Sequence, residues 1–265
     1  MSEDIYEISG VRYAHHHRRA SENFLGGDPH DAPMPLDYFV WAIVGEHRNL
    51  VLDTGFDEAM GRKRQREFLR SPRDGLVAIG VDPAKVGDVI ISHIHYDHAG
   101  NHDLFPSATF HLQDREMAFC TGRCMCHPQL RRSFEEGDVS AMIRRLFEGR
   151  VRFHDGAGEI APGVTVHHVG GHTAGLQVVR VKTARGWVVL AADASHFYAN
   201  FEQMRAYPTV YNVGDMLKGF ATVKRLANSP QHVIPGHDPL VLQRYPAPQP
   251  GLEGIAVRLD VAPRD

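Results

Sequence analysis

The sequence predicts a single α/β domain over residues 1–265, on three observations. Strand-like apolar runs are spread evenly along the chain, segments of helical apolar spacing lie between them, and a 43% hydrophobic content in 265 residues can build a substantial core. Taken in order, residues 36–44 and 49–55 read as two strands joined by the polar turn Gly45-Glu46-His47-Arg48, with Asp53 ending the second. Residues 56–80 are charged and fit a helical segment, and Val81-Asp82-Pro83 looks like a helix start leading into a buried strand at 86–91. Residues 108–112 return as a strand. Between 113 and 149 charged and apolar residues alternate at helical spacing, a helical insertion whose stripe includes Met117, Phe119, Leu130, Phe134 and Met142. Three further strands at 164–169, 177–181 and 187–192, separated by Gly-containing turns, form a second sheet. A helix over 213–227 precedes a short strand at 233–234, and a Pro-rich loop occupies 245–251. No internal repeat or low-complexity segment interrupts this pattern.

Composition excludes several classes of function. The net charge is −3, the pI is near 6.6, and no basic arm or basic-aromatic stripe offers a surface to a phosphate backbone, so no nucleic-acid partner is expected. The acidic start Met1-Ser2-Glu3-Asp4-Ile5 has no apolar core of a signal peptide and no stretch approaches a membrane span, which makes a cytoplasmic location the expectation and a membrane partner unexpected. Cys120, Cys124 and Cys126 are odd in number and clustered, a poor disulfide framework and no common zinc spacing, and read as reduced thiols.

The most informative stretch is Ser92-His93-Ile94-His95-Tyr96-Asp97-His98-Ala99-Gly100-Asn101, which packs three imidazoles and a carboxylate into six positions after the apolar run. Imidazole nitrogen and carboxylate oxygen suit a borderline ion such as Zn²⁺, and two ions could be fed from this one corner. Other His or Asp residues stand beside later strand ends, in Gly171-His172-Thr173, Ala192-Asp193-Ala194 and Pro235-Gly236-His237-Asp238.

HxHxDH, then GH-T, then an Asp after an apolar strand, then PGH resembles the metallo-β-lactamase superfamily over most of the chain. His15-His16-His17-Arg18-Arg19 and the run from Gly26 to Phe39 look more particularly like the N-terminal part of N-acyl-homoserine lactonases. The resemblance implies a four-layer αββα sandwich and two metal ions, zinc first, with iron, manganese or cobalt as other choices. It implies one ion on His93, His95 and His172, the other on Asp97, His98 and His237, Asp193 bridging both, and Asp53 orienting ligands from behind. It further implies a hydrolase that opens a lactone, most particularly an N-acyl-homoserine lactone, by attack of a hydroxide shared by the two ions, with Asp97 or water returning the proton. Family lactonases commonly carry a Tyr three residues after the bridging Asp, where this chain has His196, so His196 or the nearby Tyr198 is expected to assist the carbonyl or the leaving group. Ala174 and Leu176 also depart from the usual Pro and His of relatives, at positions that are not normally ligands.

Phe24, Met34, Phe39, Met117, Phe119 and Tyr207 are the apolar or amphipathic candidates for a pocket wall. The triple histidine at 15–17 reads as a surface or pocket-rim segment. Alternatives within the hydrolases are an aryl lactone or a thioester of the glyoxalase II kind. The alternative from another class is a mononuclear iron oxidoreductase on the same scaffold, which metal content would separate. A homodimer is expected from relatives.

Overall fold

The computed structural model describes residues 4–264. The chain begins β1 (Glu7–His16), α1 (Ala20–Asn23), β2 (Leu36–Val44), β3 (Asn49–Leu52), α2 (Glu58–Arg64), β4 (Glu67–Phe68) and α3 (Pro72–Ala78). It continues through β5 (Asp88–Ile90), α4 (Tyr96–Ala99), β6 (Thr109–Gln113), α5 (Asp114–Cys120), α6 (Pro128–Arg131), α7 (Glu136–Phe147) and β7 (Val151–His154). The remainder is β8 (Ala157–Ala161), β9 (Val164–His168), β10 (Gln177–Thr183), β11 (Gly186–Ala192), α8 (Tyr198–Gln203), α9 (Val213–Leu226), β12 (Val233–Pro235), α10 (Leu240–Arg244) and β13 (Ala256–Arg258).

Two mixed sheets result, one ordered β13-β1-β2-β3-β5-β6-β7 with β4 paired to β1, the other β12-β11-β10-β9-β8. The apolar run of β2 from Tyr38 to Val44 explains why the first sheet is covered on both faces. Successive side chains of a strand point to opposite sides, so Phe39, Trp41 and Ile43 join the cluster between the sheets while Tyr38, Val40 and Ala42 join a second cluster behind. That buried cluster continues through the second sheet, with Val178, Val188 and Leu190, to Met216, Phe220 and Val223 of α9 on its outer face. The rear cluster takes Leu76 of α3 and Met142 of α7. Helix, sheet, sheet, helix is the four-layer α/β sandwich.

Several elements differ from the sequence expectation. Residues 56–80 are not one helix: Gln65 takes a left-handed conformation (φ 56°) that ends α2, and the chain pairs briefly as β4 before α3 starts at Pro72 under a Ser71 cap. The strand expected at 86–91 is only Asp88–Ile90, and β1, β7, β8 and β13 had no expected counterpart. β1 was missed because its polar and small residues, such as Ser9, Gly10 and Arg12, break the alternation, yet it pairs with β2 and β13. Among the described residues no helix is long and apolar enough to cross a membrane, and Cys120, Cys124 and Cys126 are free thiols.

Candidate metal centre

The site forms where strand ends of both sheets meet. Leaving β5, the chain turns at Ser92, whose amide donates to Asp53 Oδ1 at 2.7 Å and whose hydroxyl donates to Oδ2 at 2.9 Å. Asp53 ends β3 in a left-handed conformation (φ 62°), a strained geometry that Asp tolerates better than most residues. The same Oδ2 lies 2.7 Å from His98 Nδ1, so that nitrogen donates and Nε2 is the one left to face the cluster.

Other rings are fixed in the same way. His172 Nδ1 donates to the Thr209 carbonyl at 2.6 Å, His237 Nδ1 to the Asp37 carbonyl at 2.9 Å, and His93 Nδ1 lies 3.0 Å from Ser92 Oγ. The opposite nitrogens of these rings are therefore the ones turned inward, where they could meet a cation. His93 Nε2, His95 Nδ1 and His172 Nε2 converge to within 3.0, 3.1 and 2.9 Å of one another. Facing lone pairs at that distance repel unless a cation lies among them.

A second group stands alongside. Asp97 Oδ2 is 3.6 Å from His98 Nε2 and 3.8 Å from His237 Nε2. Asp193 lies between the groups, its Oδ2 3.2 Å from His172 Nε2 and its Oδ1 3.2 Å from His98 Nε2 and 2.9 Å from His237 Nε2. His98 Nε2 and Asp193 Oδ1 are nonetheless buried with no hydrogen-bond partner. Buried orphaned polar atoms are costly, and a bound cation would satisfy both. The site is built for a metal cofactor, and its donor set of imidazoles and carboxylates fits one.

The electrostatics follow from the same crowding. Burial and the neighbouring imidazoles hold His93 well below the usual histidine range. Burial alone would raise the Asp193 carboxyl, but His237, His98, His196 and His172 around it hold it well below its ordinary value. Burial likewise opposes charge on His98, yet Asp193, Asp53 and Asp97 outweigh it and raise that ring well above normal. Protons and a cation compete for these nitrogens, so metal affinity weakens in acid.

His196 is brought to this cluster: its Nε2 lies 2.9 Å from Asp193 Oδ2 and burial first of all pushes it down to about 4. Its ring stacks on Tyr207 at 3.7 Å, and the Tyr207 hydroxyl donates to the Asp193 backbone carbonyl. Tyr198 is not brought there. It starts α8 with Arg244 3.9 Å over its ring and lines a separate cleft with Met34. Phe39 stacks on Trp41 at 5.0 Å between the sheets, and Phe24 lies 3.6 Å beneath the Arg205 guanidinium. Met117 packs against the rear cluster, while Phe119 borders a side cleft that His95 and His172 also line. Of the six wall candidates only Tyr207 packs directly against residues of the centre, because strand pairing and helix packing claim most of the other apolar side chains first.

Over the cluster opens a cavity of about 330 Å³, walled by His16, Arg18, Leu36, Tyr38, Arg66 and Arg132 among others. Sequence reading passed over these arginines, and also Glu116. That buried carboxylate accepts from the Ile94 amide (2.9 Å), the Thr173 hydroxyl (2.6 Å) and the Gly175 amide (3.0 Å), tying the His93–His95 turn to the His172 turn. One signal was available: Glu116 shares a helical face with Phe119 and Cys120, three and four residues on, where an apolar residue is the rule.

The fold and the site together define a metal-binding α/β sandwich. Residues 34–242 match the family described as the Metallo-beta-lactamase superfamily, and the chain belongs to that superfamily. It is similar to an N-acyl homoserine lactonase of Bacillus sp, 30% identical over 128 residues, or 48% of this chain and 46% of that one. The chain thus spans about half the length of the curated relative it matches. A solved quorum-quenching N-acyl homoserine lactone lactonase superposes with a TM-score of 0.74 at 21% identity, over 91% of this chain and 95% of the other. AidC, a dizinc quorum-quenching lactonase, superposes with a TM-score of 0.68 at 14% identity, over 90% of each chain.

Proposed function

We propose that this chain is a dinuclear zinc hydrolase that opens the ester ring of lactones, N-acyl-homoserine lactones being the class its relatives are named for. His93, His95 and His172 would hold one ion, Asp97, His98 and His237 the other, with Asp193 shared. The observation that carries this reading is the Asp193 carboxylate, which turns one oxygen toward each triplet. When bound, two divalent ions supply Lewis acidity toward a carbonyl oxygen and lower the pKa of water toward neutrality. The chain's own residues do the rest. Asp53, Thr209 and Asp37 hold the imidazoles in one tautomer, Tyr207 fixes the Asp193 backbone, and His196 presents an imidazole at the cavity wall to the reacting ester.

Purified protein should contain about two zinc equivalents and release acid in a pH-stat assay from an acyl-homoserine lactone faster than from a thioester. A single iron equivalent with no acid release would move the chain to the oxidoreductase class instead.

His196→Ala is expected to lower turnover by about 10²-fold with metal content retained. Tyr198→Phe should leave the rate within about 3-fold, since its hydroxyl is buried beside Arg244 in a separate cleft away from the cavity. Steady-state kinetics on both variants checks this, and the reverse ranking would remove His196 from the reaction.

A further inference from the structure

We propose that the lactone this protein opens carries a carboxylate, which Arg18 and Arg66 receive at the wall of the metal cavity; this rests on the lactonase reading above. Leu36 is the one aliphatic residue lining that cavity, while four guanidiniums, those of Arg18, Arg64, Arg66 and Arg132, face it. Arg64 is paired with Glu135 at 2.5 Å, a carboxylate it shares with Lys63. Arg66 is braced instead by neutral groups, Nε donating to the Tyr96 hydroxyl at 3.2 Å and Nη1 to the Arg64 carbonyl at 2.7 Å, which leaves Nη2 unpartnered among the described residues. Arg18 Nη2 donates to the Glu22 backbone carbonyl at 2.5 Å. The Glu22 carboxylate also borders the cavity, and it is turned to the Arg19 amide at 2.8 Å.

Half-buried guanidiniums whose hydrogen bonds go only to neutral groups are costly to retain, and a planar fork of donors matches a carboxylate in two-pronged fashion. Both arginines are partly removed from water, and their field reaches the rings beside them. His16 is pushed down to about 4, by burial first and then by Arg66 and Arg18. Arg18 and Arg66 line the same cavity as Asp193 and His196. A cavity so charged attracts anions and offers little surface to a plain alkyl chain.

The test uses zinc-loaded enzyme and two matched pairs. N-hexanoyl- and N-adipoyl-homoserine lactone differ by a carboxylate at the chain end, and phthalide and a carboxyphthalide by one on the ring system. In at least one pair the carboxylated member should be opened with a kcat/KM about 10-fold or more higher, an advantage that shrinks as salt is added. Arg66→Gln and Arg18→Gln should each reduce that ratio, mainly through KM, and Arg66→Lys should retain part of it; zinc content and a melting curve establish that each variant is folded. If neutral members are opened as fast in both pairs, or both glutamine variants keep the ratio, the inference is overturned while the lactonase reading stands. If loaded enzyme opens none of the four, the lactonase reading fails and this inference with it.

Discussion

Replacing Asp193 with asparagine is expected to lower turnover by roughly 10³-fold, equivalent to about 4 kcal/mol of transition-state stabilisation, and to leave less than the full complement of metal. The substitution preserves shape and volume, so its effect isolates the charge. Asp193 touches His172 and His196 through one oxygen and His98 and His237 through the other. An amide offers one acceptor and one NH₂ group, which would aim protons at a lone pair or at a cation on one side. Metal analysis together with kinetics decides the matter: wild-type rate with full metal would remove Asp193 from any shared role.

Glu116→Ala is expected to destabilise the protein by about 3 kcal/mol or more, because three buried donors lose their acceptor at once. For a chain of this size that corresponds to a fall in melting temperature of roughly 6–12 °C. Burial raises the Glu116 carboxyl above its usual value, against which the bonds from Thr173, Ile94 and Gly175 act to keep it charged. Since those bonds join two turns that carry histidines of the centre, metal occupancy should fall along with the melting temperature. Unchanged melting and metal content would mean that neighbouring groups satisfy the three donors. Glu116→Gln should be milder, as the amide oxygen keeps one of the two acceptor positions while its NH₂ opposes the donors at the other.

Much of the centre was legible because its residues are concentrated and chemically distinctive. His93, His95, Asp97 and His98 lie within six positions, so local pattern and donor chemistry singled them out, and the order in which His172, Asp193 and His237 follow, each beside a strand end, carries the family resemblance that added them. The apolar runs of β2, β3, β9, β10 and β11 were legible for a related reason: their side chains are buried and need little beyond period and hydrophobicity to be recognised. β1 and Glu116 were not. The polar residues of β1 are covered by partners far along the chain, and Glu116 has meaning only through Ile94, Thr173 and Gly175.

The sequence by itself therefore determined the class of fold, the order of the strands that carry the site, and the set of side chains able to hold metal. Tertiary structure decided which nitrogen of each ring faces inward, that His196 and not Tyr198 reaches the centre, and that arginines, with Tyr38 and Tyr96, wall the cavity in place of the expected apolar candidates. The physical reason is one of range. Donor chemistry and hydrophobic period belong to a residue and its near neighbours, whereas a tautomer, an orphaned lone pair or an uncompensated charge depends on groups brought from elsewhere in the chain by folding.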